Sequence, residues 1–97
     1  MRGTEKQLKF AESLIIKFIK EMDTLINECP DHKKQQWISI KEKILYIFDR
    51  SYAGDVIHLL ANNDKSGKEY YISFYSRLLP NADIMSIEIK KSVYGRI

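Results

Sequence analysis

Cys29-Pro30-Asp31-His32 is a stretch of this 97-residue chain where two metal-binding residue types stand a ligand's spacing apart. A closed structural zinc site takes four nitrogen or sulfur ligands. With one cysteine and two histidines the chain falls short of that set, even if His58 folds back onto the end of the first helix. Cys29 therefore reads as a small apolar side chain and His32 as a solvated residue at a helix start. Nucleophilic catalysis meets a different obstacle. A reactive cysteine needs a lowered thiol pKa and an oriented base, whereas a thiol at a helix C-terminus faces the negative end of the dipole, which raises it. No G-x-S-x-G, G-x-x-x-x-G-K-[ST] or G-x-G-x-x-G occurs, and four glycines leave little for a phosphate-cradling loop. Glu21, Asp23 and Glu28 fall on what reads as the solvent side of the first helix, where acids serve solubility and ion pairing. The expectation is a protein that is not an enzyme and takes no metal or cofactor.

Charge points to a second class of partner. Sixteen Lys and Arg against thirteen Asp and Glu give +3. Residues 1–30 balance at five of each sign, residues 31–62 carry five cations to four acids, and residues 63–97 carry six to four. A nucleic-acid binder gathers its cations on one face; here they are interleaved with acids, as on a solvated helical surface. Lys90, Lys91 and Arg96 form the stretch where positives go unanswered, and a nucleic-acid-binding accessory protein using those three is an alternative reading.

The elements that position these residues begin with a helix. Thr4-Glu5-Lys6-Gln7 has the capping-box pattern, and Leu8, Ala11, Ile15, Phe18, Met22, Leu25 and Cys29 follow three or four apart. Pro30 ends the ladder, so the spacing predicts a helix over 4–29. Asp31 stands as N-cap to a second helix over 31–48, with Trp37, Ile40, Ile44, Ile47 and Phe48 as its buried stripe. The break between the two is short, which favours an antiparallel hairpin. Ser51 is placed to cap a short third helix to residue 60, and Ala61-Asn62-Asn63-Asp64-Lys65 is a loop by composition.

Two patterns compete in the last third. Ser66-Gly67-Lys68-Glu69 again resembles a capping box, and Tyr71, Phe74, Tyr75, Leu78 and Leu79 follow at helical spacing. Met85 to Lys90 alternates apolar and polar strictly, as a half-buried strand does. The reading is a helix over 67–79 with an extended segment over 84–91, and a β-hairpin joining 70–77 to 84–91 as the alternative. The expected fold is a single mainly α domain over 1–97, with α+β as the alternative class. One cysteine suits a reducing compartment. No apolar run spans a bilayer and no signal-peptide apolar region opens the chain, so a cytoplasmic protein with no membrane partner is expected.

Aromatics make up 11% of the chain and concentrate at Tyr70, Tyr71, Phe74 and Tyr75. Tyr and Arg dominate interface hot spots, so Tyr70, Tyr71, Tyr75 and Arg77 are the expected partner contacts, with completion of a small core as the competing role for the tyrosines.

The opening Gly3-Thr4-Glu5-Lys6-Gln7-Leu8-Lys9-Phe10-Ala11-Glu12 resembles a start found in small helical proteins of phages, plasmids and Firmicute genomes, of the form G-T-E-K-Q-[IV]-x-W-A-E. Phe10 stands where those carry Trp, and Ser51-Tyr52-Ala53-Gly54-Asp55 loosely echoes their third helix. The resemblance implies a helical mobile-element module without catalytic residues. Joined to the aromatic cluster, it implies a protein-binding inhibitor that occludes a host protein, for example an anti-defence or anti-CRISPR protein. A self-associating structural helical protein is the third class, if the stripe of the hairpin is wider than one partner can cover.

Overall fold

Thr4 begins the first helix as its spacing predicts. In the computed structural model, which describes residues 1–94, the Thr4 hydroxyl accepts from the Gln7 N–H at 3.1 Å and Gln7 Oε1 accepts from the Thr4 N–H at 3.0 Å. Helix α1 runs Glu5–Glu28. Cys29, before the proline, takes an extended backbone and ends it. Helix α2 runs Asp31–Asp49 with Pro30, not Asp31, at its N-cap; Asp31 is the first helical residue, where its charge favours the dipole. Lys41 Nζ meets Asp23 at 2.9 Å, and near the opposite end the Arg2 N–H donates to the Ser51 carbonyl at 3.2 Å, so α1 and α2 are antiparallel.

The N-terminal segment is held against the start of helix α3, Ala53–Leu60, whose N-cap is Tyr52 rather than Ser51. Ser51 instead donates its hydroxyl back to the Ile47 carbonyl at 2.6 Å. Arg2 and Tyr52 form an isolated bridge. A Cβ on Gly3 would stand 2.9 Å from the Ala53 Cβ, closer than two such atoms approach, so glycine is what lets the segment seat. Gly3 and the Tyr52–Ala53 start of α3 therefore meet at one packing site.

Helix α4 runs Gly67–Leu78 and helix α5 runs Ile84–Tyr94. No strand occurs among the described residues, and the fold is mainly α. The extended reading of 84–91 is overturned. Strand alternation would put Met85, Ile87 and Ile89 on one face, but Met85 and Ile89 are buried while Ile87 is 38% exposed. Buried Ser86 and half-buried Val93 complete a helical stripe against α2. Asp83 starts α5: Oδ1 accepts the Ser86 N–H at 2.9 Å and Oδ2 the Ser86 hydroxyl at 3.0 Å.

Helix α1 lies at the centre, packed on α2, α3 and α4, and α5 closes the far side of α2. Phe18 is the hub of the core, its ring 5.3 Å from Phe48, 5.3 Å from Phe74 and 6.3 Å from Tyr70. No helix among the described residues is long and apolar enough to cross a membrane.

Three helices expose C-terminal carbonyls that a cation from another helix satisfies. Lys34 Nζ on α2 donates to the Ile26 and Asn27 carbonyls at 2.8 and 3.2 Å, at the end of α1. Arg77 on α4 donates to the Leu59, Ala61 and Asn62 carbonyls at and just beyond the C-terminal end of α3. Lys90 on α5 donates to the Leu79 and Asn81 carbonyls at 3.2 and 2.7 Å, beyond α4. Each places positive charge at the negative end of a helix dipole.

Candidate functional site

Of the four expected contacts, Tyr70 and Tyr71 are buried in the core, and Tyr75 and Arg77 are half-buried. Tyr70 is a correction: its ring is only 1% exposed, set in the core beside Phe18. Its hydroxyl has no hydrogen-bond partner among the described residues, and Lys17 Nζ stands 5.8 Å above the ring. Burial, reinforced by the Glu21 carboxylate and opposed by Arg77, pushes the phenol up to about 12. Arg77 is likewise taken by the α3 carbonyls and stands as an internal cap.

Glu21 is the second correction. It lies on the buried side of α1 and not in solvent, where Oε1 accepts the Gly67 N–H at 2.9 Å. It does the work expected of Ser66, whose side chain makes no capping bond. Gly67 holds a left-handed φ of +53°, and a Cβ there would come within 3.3 Å of Thr24 Cγ2.

Tyr71, at the margin of the core, borders a groove between the α1–α2 turn and α4 that Tyr75 does not line. Leu25, Cys29, Pro30, Trp37 and Tyr71 make its floor, Ile72 its edge, and it encloses about 510 Å³, within the range of roughly 300–1,000 Å³ usual for ligand sites. The Trp37 and Tyr71 rings meet edge to face at 4.9 Å, and Tyr75 stacks on Tyr71 at 6.0 Å one helical turn later. These contacts fix the aromatic wall in one arrangement. Ile72 is 53% exposed although it adjoins the buried Tyr71. Lys33, Lys68 and Glu28 stand around the rim.

Trp37 and Ile72 are the site residues that sequence reasoning did not single out. Trp37 read as one more member of the α2 stripe. The signal available was position: Trp37 lies one to two turns after the Pro30 break, where the facing stripe of α1 runs out at Cys29 and a third element must cover what is left.

The cations of the nucleic-acid reading are dispersed. Lys90 is bound to carbonyls at the end of α4. Lys91 lines a shallow groove between α2 and α5 that also holds Glu42, Lys43 and Glu88. Arg96 lies outside the described residues. His32 and His58 are both exposed on separate elements, and no group of three His, Cys, Asp or Glu side chains able to hold a metal occurs among the described residues. No family model, no curated protein and no solved structure matches the chain.

Proposed function

We propose that this protein is a non-enzymatic protein-binding module that holds a partner at the Trp37–Tyr71–Ile72 groove and acts by covering part of the partner's surface. The observation that carries this reading is an apolar groove with a rigid aromatic wall and a half-exposed aliphatic edge. Aromatic side chains held in place beforehand lose little freedom on binding, so the apolar area they bury goes into affinity. The resemblance of the Gly3–Glu12 segment to mobile-element proteins makes a host protein the natural partner, and an anti-defence role its setting. Catalysis is no part of this reading: a stoichiometric inhibitor needs an interface and a stable scaffold only.

The test is capture from a bacterial host lysate with the tagged protein and with its Ile72→Asp variant. Ile72 is exposed, so the variant folds, and a charge there disrupts an apolar contact. The expected result is one protein retained in stoichiometric amount after nuclease treatment and lost with Ile72→Asp. Retention of nucleic acid alone, released by moderate salt, would replace this reading with the nucleic-acid one.

A further inference from the structure

We infer that the groove is built for an acidic segment of a partner protein that inserts one large apolar side chain; this deepens the protein-binding reading and rests on it. The floor between Leu25, Cys29 and Tyr71 suits an aliphatic or aromatic anchor. The charge around it is uneven. Lys33 on α2 and Lys68 on α4 stand on opposite walls, against Glu28 alone. Neither lysine forms an ion pair among the described residues, whereas Lys34 and Lys41, on the same helix as Lys33, are engaged with Asp31 and Asp23. Carboxylates flanking an apolar anchor meet a free ammonium on each side; a basic segment meets repulsion from both. Tyr71 does not suit a nucleobase as the anchor. It presents its edge or face to Trp37, Phe74 and Tyr75, so this ring offers no open face of the kind that base stacking uses.

The chain contains one tryptophan and one cysteine, and both line this groove, so it carries its own reporters. The probes are a short capped peptide of glutamates around a central leucine and phenylalanine, its lysine counterpart, and a short oligothymidylate. The acidic peptide is expected to shift Trp37 emission to the blue and, at about ten times its dissociation constant, to slow Cys29 alkylation about tenfold. The lysine peptide does neither. In Lys33→Glu/Lys68→Glu, whose sites are exposed, the preference between the two peptides reverses. The inference is overturned if both peptides act alike, if neither moves either reporter, or if the oligothymidylate is the one that does. It is also overturned if Cys29 becomes protected with rising protein concentration alone and Ile84→Asp removes that protection. That outcome assigns the groove to a second copy, whose Ile84 is 78% exposed in a patch that holds Asp55, Asp83 and Glu88 with Arg50. Loss of the captured partner by Ile72→Asp together with silent peptides would leave the protein-binding reading standing and remove only this one.

Discussion

A carboxylate turned into a core is costly unless its oxygens are hydrogen-bonded, and Glu21 meets that condition by taking the Gly67 N–H. The exchange explains two residues at once. Gly67 adopts the left-handed backbone that brings its N–H to the carboxylate, and Glu21 gives α4 the N-terminal anion that Ser66 does not supply. Replacing Glu21 with Leu leaves that N–H buried without an acceptor and should cost about 1–3 kcal/mol. Gly67→Ala forces a Cβ into the left-handed region at a cost of roughly 1–2 kcal/mol. Urea midpoints at constant m-value measure both losses, and because the residues share one contact the double variant should lose less than the sum. Tyr70 makes a separate prediction at high pH. Its phenol is pushed up to about 12 by burial and the Glu21 charge, from an ordinary 10.0. The unfolded chain therefore releases that proton first as pH rises, so the unfolded state binds fewer protons and stability falls between the two values. Below the unfolded value the contribution is fully present. Tyr70→Phe should flatten the loss of stability between pH 10 and 12 and, since the hydroxyl has no partner among the described residues, change neutral stability little.

Helices α1 and α2 were legible from residue spacing because each carries a full apolar stripe and a proline marks their junction. Helix α4 was legible too, from the turn spacing of Tyr71, Phe74, Tyr75 and Leu78. Helix α5 was not. Its apolar residues satisfy a period of two through Met85, Ile87 and Ile89 as well as the helical stripe Met85, Ile89 and Val93, and local pattern cannot choose between them. What decides is tertiary: α5 packs on a face of α2, and from there Lys90 reaches the end of α4. The cap was visible in Asp83-x-x-Ser86, a side-chain acceptor three residues before its donor, but the strand alternation masked it. The groove was half legible for a similar reason. Composition pointed to the tyrosine cluster, yet which ring is core and which lines a surface depends on where α4 crosses α1. Because α5 rests chiefly on α2, its stability depends on that cap. Asp83→Ala should cost about 1 kcal/mol and raise amide hydrogen exchange in α5 before that of α1. Burial alone would lift the Asp83 carboxyl, but the Ser86 hydrogen bonds and the Lys90 charge outweigh it and hold it below the ordinary 3.8. A depressed folded value means the cap's contribution is present above 3.8 and lost as pH falls through the folded one. Protection of the α5 amides, taken relative to intrinsic exchange at each pH, should therefore fall at acid pH in the native protein and not in Asp83→Ala.

At the scale of the whole molecule, several basic residues are engaged in holding it together. Lys34, Arg77 and Lys90 neutralise helix C-termini, and Lys9 and Lys41 face acids at 3.6 and 2.9 Å. The +3 formal charge thus overstates what is offered to a polyanion, because these ammonium and guanidinium groups sit against carbonyls and carboxylates along a body measuring 41 by 24 by 20 Å. Duplex binding releases counterions in proportion to the phosphates neutralised, with a log–log salt slope of about −0.9 per contact. Dispersed cations cannot fall on successive phosphates together. We therefore expect a slope no steeper than about −2 with duplex DNA and no retention in a gel-shift at about 0.15 M salt. Substituting Lys91 by Glu should leave that weak binding nearly unchanged, since Lys91 shares its groove with Glu42 and Glu88. A slope of about −5 or steeper, relaxed by Lys91→Glu, would mean that the cations gather on one face when duplex is present, and would place the nucleic-acid reading ahead of the groove.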